Sequence, residues 1–334
     1  MDFLTEVAAP PQPDNAEGAP RRVGVEVEFA AVTAADGAGI VREAFGGTVR
    51  EEDAHRFHVE GTELGDFTCE LDTQYAHRPY GADGGGGEGG MTGFRAEMRK
   101  LFGDISSLVM PCEIVCPPIP YTEIPRIDAL VQRLNAAGAV GTRASPFYAF
   151  GAQLNPEIAG AREDDGDADG ITAVLKSYLL LSGWLRGVMG LDLTRRAVAF
   201  ADPFPKPYVA TVLAGDYWPD VAGLIDDYLT HNPTRNRELD LLPLFAHLDE
   251  PRLRRVLDDP RIKARPTYHY RLPDANIGAS DWSLCLEWNR WIVVERLAAD
   301  RALLARMGAD YLARAGDGRL RDWPLAASHW LIVQ

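Results

Sequence analysis

The sequence predicts an α+β protein, and three observations carry that prediction. Short runs in the first half alternate apolar and polar residues as strands do, runs with apolar residues three and four apart lie between them, and the second half reads as mostly helical. No segment repeats.

The first element is "RRVGVEVEFAAV", which predicts a strand over residues 22–32. Successive side chains of a strand point to opposite faces, so Val23, Val25, Val27 and Phe29 share one face and Gly24, Glu26 and Glu28 the other. A short helix follows at 39–45, then a strand at 66–72, "DFTCELD". Residues 94–109 space Phe94, Met98, Leu101 and Ile105 as one side of an amphipathic helix. Next come a strand at 110–116, "MPCEIVC", a helix at 123–138 that stops on Gly138, and a strand at 147–157. Helices are predicted at 171–191, 217–230, 239–248 and about 292–315, with one more strand, "WSLCLEWN", at 282–289. Two low-complexity patches, 80–93 and 160–170, read as loops.

The opening stretch, residues 1–20, reads as a flexible arm, because acids and prolines stand where a signal peptide has a basic start and an apolar core. Residues 21–334 read as a single domain with a helix-rich second half. With 46% hydrophobic and 25% charged residues, the 334-residue chain can bury a substantial core. Lys and Arg number 34 against 49 Asp and Glu, a formal charge of -15, which argues against nucleic acid or an anionic membrane as partner. No apolar run reaches the roughly 20 residues that span a bilayer, and a cytoplasmic location is expected. Cys69, Cys112, Cys116 and Cys285 are too few and too irregular for a disulfide framework, so reduced thiols are expected.

The apolar strands share one oddity, an embedded carboxylate. Glu26 and Glu28 are co-facial, as are Glu70 and Asp72; Glu113 opposes the Cys112, Ile114 and Cys116 face; and Glu287 lies in 282–289. One glutamate on a wet sheet face is simply solvated. Several side by side repel unless something positive lies between them, and gathered oxygen ligands suit Mg²⁺ or Mn²⁺. Zinc fits less well, since the histidines have no paired spacing.

Taken together, "GVEVEF", "HVEGTELGDFTCELDT", "CEIVCPPI", "FGAQLNPE", "YHYRLPD" and "LEWNRW" resemble the amidoligase family, over about residues 22–295. That family belongs to the carboxylate-amine ligases of the glutamine synthetase and glutamate-cysteine ligase superfamily. The resemblance implies a glutamine synthetase-like catalytic domain, a curved, mostly antiparallel sheet with helices on its outer side. Its inner face would hold ATP and two or three Mg²⁺ ions, with Mn²⁺ as an alternative.

The resemblance further implies Glu26, Glu28, Glu70, Glu113 and Glu287 as metal ligands, with Asn155 as a further oxygen ligand and Asp72 close to the cofactor. Arg271 and Arg290 are the implied catalytic cations; Arg271, Arg265 and Lys263 are the cations for ATP. Two departures stand out. Gln153 and Asn155 occupy a segment where many relatives carry H-x-H or H-x-N, and the E-F-R of the relatives' late strand is matched by Glu287, Trp288, Asn289 and Arg290, with the arginine shifted by one. The implied reaction is ATP-dependent amide formation through an acyl phosphate, joining an amino-acid or peptide carboxylate to an amine. Two other readings compete: a metal-dependent hydrolase, and a noncatalytic relative that binds a nucleotide or peptide. Nothing in the sequence indicates an oligomeric state.

Overall fold

The computed structural model describes residues 2–71, 111–144, 150–160, 168–191 and 201–332. The chain enters the sheet with β1 (Arg22–Phe29), then forms α1 (Ala34–Phe45), β2 (Thr48–Asp53), β3 (Arg56–Thr62) and β4 (Gly65–Leu71). It continues through β5 (Cys112–Val115), β6 (Ile119–Pro120), α2 (Ile124–Ala136), β7 (Ala152–Pro156) and α3 (Ala168–Met189). The remainder is α4 (Lys206–Leu213), α5 (Val221–His231), β8 (Leu239–Asp240), α6 (Leu242–Arg254), β9 (His269–Tyr270), α7 (Leu284–Ala299), α8 (Arg301–Gly316) and α9 (Trp323–Ile332). Among the described residues, nine strands form one open sheet in the order β2-β3-β4-β5-β1-β7-β9-β8, with β6 also pairing β1. Its ladders are antiparallel.

Alternation in β1 places Val23, Val25, Val27 and Phe29 in the core. Cys69 and Ile114 lie on the same buried face, and α1 packs against it. Farther along the sheet, α7 packs against α2 and α3, and its Trp291 ring meets Tyr268 and Tyr270 at 5.3 Å. The helices thus cover one face of the sheet. The four cysteines are free and buried, and among the described residues no helix is long and apolar enough to cross a membrane.

Several elements differ from the sequence prediction, each for a local reason. Residues 282–289 are not a strand: Ser283 caps a helix, its hydroxyl accepting from Leu286 N at 3.0 Å, while Asp128 of α2 accepts from Leu284 N at 2.9 Å. Leu284, Trp288, Trp291 and Ile292 then fall on one buried helical side. The long terminal helix breaks at Asp300, whose carboxylate caps α8 through Leu303 N at 2.9 Å. In the same way Asp220 delays α5 by accepting from Gly223 N at 2.7 Å.

The β2–β3 hairpin was not predicted, because only Phe57 and Val59 among its many charged residues are buried apolar contacts. Its other face is a strip of ion pairs, including Arg50 with Glu60 and Glu52 with Arg56. The helix expected at 94–109, the loop at 80–93, most of the one at 160–170, and Asp72 lie outside the described residues.

The N-terminal segment is tied to the domain. Asn289 on α7 receives Ala8 N at 2.7 Å and donates to the carbonyls of Glu6 and Phe3 at 2.7 and 3.2 Å. Trp288 Nε1 donates to Ala8 O at 2.9 Å, and Arg21 binds Glu295 through a buried double contact at 2.7 and 2.8 Å. Gly141 carries the chain past the far end of the sheet, where an added Cβ would fall 2.0 Å from Ala275 O.

Candidate active site

The face opposite the helices is polar from β3 to β8. Its first row crosses four strands: Arg56 opposes Glu70, Glu70 opposes Glu113, and Glu113 opposes Glu28. Directly opposed side chains in a ladder sit with Cβ atoms about 4.5–5.5 Å apart, so three carboxylates are neighbours with one guanidinium at the end. A second row runs His58, Thr68, Val115, Glu26, Gln153. A third begins with Gly24 opposite Asn155 and ends with His269 opposite Asp240.

Glu28, Glu26 and Glu70 are each turned toward a donor. Glu28 accepts from Gly151 N at 2.9 Å and from Gln153 Nε2 at 3.2 Å. Asn155 Nδ2 donates to Glu26 Oε1 at 2.9 Å, and Arg56 Nε donates to Glu70 Oε2 at 2.5 Å. The oxygen-rich donor set suits a hard divalent cation, and the row of like charges would be relieved by one. As the side chains stand, however, no group of three or more His, Cys, Asp or Glu among the described residues is arranged to hold a metal ion. The N–H groups of Gln153, Asn155 and Arg56 occupy directions that ligation would need.

Cations gather at the β9 end. Arg265 Nη1 lies 3.8 Å from Glu26 Oε1, and its Nη2 lies 3.4 Å from His269 Nδ1. Arg271 is buried and donates through Nη1 to Arg235 O at 2.9 Å. Burial pushes Asp240 up to about 6, against the pull of Arg271, the Leu242 amide, Arg235 and Arg265. Burial, then Arg271, Arg265 and Arg235, hold His269 well below the usual histidine range. The same three guanidiniums therefore surround both groups. His269 Nδ1 lies 2.7 Å from Asn155 Oδ1, which completes a chain from Glu26 through Asn155 to His269.

Of the residues singled out in the sequence, the structure brings Glu26, Glu28, Glu70, Glu113, Asn155, Arg265 and Arg271 to this face or its end. Lys263 is exposed just before Arg265 and makes no hydrogen bond or ion pair among the described residues. Glu287 and Arg290 sit on α7, on the helical side, and not on a strand. Arg290 Nη1 contacts Glu287 Oε1 at 2.5 Å, while its Nη2 donates to Val188 O at 2.9 Å. Burial pushes Glu287 up to about 7 in spite of Arg290. The late strand of the sheet is β9, and Arg271 follows it directly, two residues from His269, the spacing of E-x-R. The sequence reading missed His269 and Asp240; the alternation His269, Tyr270, Arg271 in "YHYRLPD" was the available signal. It also missed Arg56, hidden in the charged hairpin.

A cavity of about 260 Å³ lies elsewhere, between the N-terminal segment, α3 and α7, lined by residues such as Gln12, Ile171, Glu295 and Arg301. None of the polar-face residues named above lines it.

No curated protein and no solved structure gives a significant match to the chain. A family profile does match, over residues 19–293, a span that contains β1 to β9 and the whole polar face. The chain belongs to the family described as putative amidoligase enzyme.

Proposed function

We propose that this protein is an ATP-dependent carboxylate-amine ligase of glutamine synthetase-like fold, acting on an amino-acid or peptide carboxylate. The observation that carries this reading is the cross-strand row Glu28, Glu113, Glu70 on the polar face of an amidoligase-family chain. Making an amide from a free carboxylate in water needs activation, and an acyl phosphate formed from ATP supplies it. In this reading Glu26, Glu28, Glu113 and Glu70 hold Mg²⁺, with Asn155 as an additional oxygen donor. When bound, the ion neutralises phosphate charge and polarises the transferring group.

The protein's own groups account for the rest. Arg265 and Arg271 offset the charge of the triphosphate at the β9 end, where the overall charge of -15 would otherwise oppose its approach. Arg56 holds Glu70 in place at the other end of the row. The interior neighbours keep His269 uncharged, so it acts as a hydrogen-bonding group and not as a further cation.

The experiment is an ATP-dependent phosphate-release screen over paired acids and amines, with and without Mg²⁺, using Glu26→Gln and Glu28→Gln as controls. Release that requires an acid, an amine and Mg²⁺, and that falls at least 100-fold in both variants, supports the reading (about 2.7 kcal/mol in the barrier). Equal activity of wild type and both variants would defeat the assignment of the polar face. The present orientation of the carboxylates toward Gln153 and Asn155 favours one alternative, a relative that binds nucleotide without turnover. Calorimetric nucleotide binding with no phosphate release across the screen would establish that alternative.

A further inference from the structure

We infer that the cavity beside the N-terminal segment is a binding site for a small amphipathic carboxylate, a straight-chain acid of medium length whose apolar body lies inside and whose carboxylate meets Arg301 and Arg296 at the mouth.

The cavity measures about 260 Å³ and has an apolar interior and a polar mouth. Ile158, Ile171, Ala173, Val174 and Ala298 line it and are buried, whereas Gln12, Ala299 and Arg301 line it and are exposed. Protein interiors are close-packed, and this volume equals that of roughly nine waters at about 30 Å³ each. Each water needs two to four polar partners, which aliphatic walls do not offer. Among the described residues the one buried charge in the wall is Glu295, and it is engaged already: Arg21 holds both oxygens at 2.7 and 2.8 Å, and Trp291 Nε1 donates to it at 2.6 Å. An apolar chain fills the interior without needing any partner.

The mouth is cationic. A second, more open depression meets the cavity at Pro11, Ala299 and Arg301 and adds Arg296 and Asp300. Arg301 uses Nη2 to donate to Asp169 O at 3.1 Å, and its guanidinium lies 4.8 Å from the centre of the Trp218 ring. Neither Arg301 nor Arg296 pairs with a carboxylate of a described residue. Asp300 is the carboxylate at this mouth, and it caps α8 through Leu303 N at 2.9 Å. Two guanidiniums thus stand beside one engaged carboxylate, in a chain whose net charge is -15.

A guanidinium presents N–H donors in a fork that matches the two oxygens of a carboxylate. An ammonium head would meet the same two cations and find Glu295 already neutralised by Arg21, so the mouth selects an anion. A bound acid would touch Pro11 and Gln12 together with α3 and α7, which fastens the N-terminal segment to the domain and stabilises the folded chain.

The test is calorimetry and thermal melting of the full chain with octanoate, octan-1-ol and octylamine. The expected result is one octanoate site with Kd of about 1 mM or tighter, a rise in Tm, and octylamine weaker by about tenfold or more. Arg301→Gln with Arg296→Gln should weaken octanoate by about tenfold or more and leave octan-1-ol unchanged. Ala298→Leu, which fills the interior, should weaken both octanoate and octan-1-ol by a similar factor. Both arginines are exposed, so their variant decides the outcome even where Ala298→Leu does not fold. Arg265 and Arg271 also attract carboxylates, and the variants separate the two locations: octanoate binding that none of them changes lies on the polar face and overturns the inference. Octylamine binding as tightly as octanoate overturns it as well, and so does a wild type that binds no octanoate.

Discussion

Glu28 of β1 and Glu113 of β5 stand directly opposite each other at the centre of the sheet, both buried, and Glu113 also opposes Glu70. Like charges in this relation destabilise a ladder by about 0.2–1 kcal/mol per pair. Glu113→Gln should therefore raise stability in EDTA by about 0.5–1 kcal/mol. The wild type should gain thermal stability on adding Mg²⁺, because a ligand bound only by the folded state stabilises it, and the variant should lose most of that gain. Melting curves of both proteins with EDTA and with Mg²⁺ check this. A variant less stable than wild type in EDTA would show that the opposed pair does not carry the repulsion argued for it.

Glu287 gives the fold a pH dependence. Burial raises it from 4.5 to about 7, so between those values the folded chain holds a proton that the unfolded chain has released. Its contribution is present below about 4.5 and is lost as pH rises through 7, at most about 3 kcal/mol over the window. Glu287→Gln keeps a neutral side chain at every pH and removes this slope. Urea denaturation at pH 5 and pH 8 should show a greater loss of stability in the wild type than in the variant. Equal losses would mean that Glu287 does not titrate in this range.

The buried pair Arg21 and Glu295 tests how the first strand is fastened to α7. Both carboxylate oxygens are engaged by the guanidinium, and Trp291 Nε1 donates to Glu295 Oε1 at 2.6 Å. Removing only the cation leaves a buried charge, so Arg21→Met should cost about 3–5 kcal/mol. Adding Glu295→Gln removes the charge and keeps an acceptor for Trp291, so the double variant should recover at least half of that loss. Chemical denaturation of the two variants decides it; a double variant no better than the single one would place the cost in packing or in the bonds from Arg21 to Glu157 O.

The strands that build the centre of the polar face were legible because one face is strictly apolar. Val23, Val25, Val27 and Phe29 fix the register of β1, and any one-residue slip would bury Glu26 and Glu28 in the helical layer. The β2–β3 hairpin was not legible, since its charges are satisfied by one another across the strands and give no apolar period. The end of the site was misread for a different reason. In "WSLCLEWN" an alternating pattern and a helical pattern coexist, and the deciding contacts are the Ser283 cap and Asp128, the latter 156 residues away from Leu284. β9, only two residues long, is created by its pairing with β7 and β8, so His269 could be placed beside Asn155 only after folding. Gln153 and Asn155 were visible as departures from relatives, but their present role as donors to Glu28 and Glu26 depends on register.

Asn289 is the residue through which α7 holds the N-terminal segment. Its buried amide uses one oxygen and one nitrogen for three backbone groups, Ala8 N, Glu6 O and Phe3 O, in a segment whose composition alone reads as a loose arm. Asn289→Leu fills similar volume but removes every one of these bonds, so the segment should detach and stability should fall by about 2–3 kcal/mol. Trp288→Phe removes only the indole bond to Ala8 O and should cost about 1 kcal/mol with the segment still in place. Limited chymotrypsin digestion near Phe3 and Leu4 reads out the difference: cleavage at least tenfold faster in Asn289→Leu than in wild type or Trp288→Phe. Equal rates in all three proteins would show that the apolar contacts of Ala8 hold the segment without the amide.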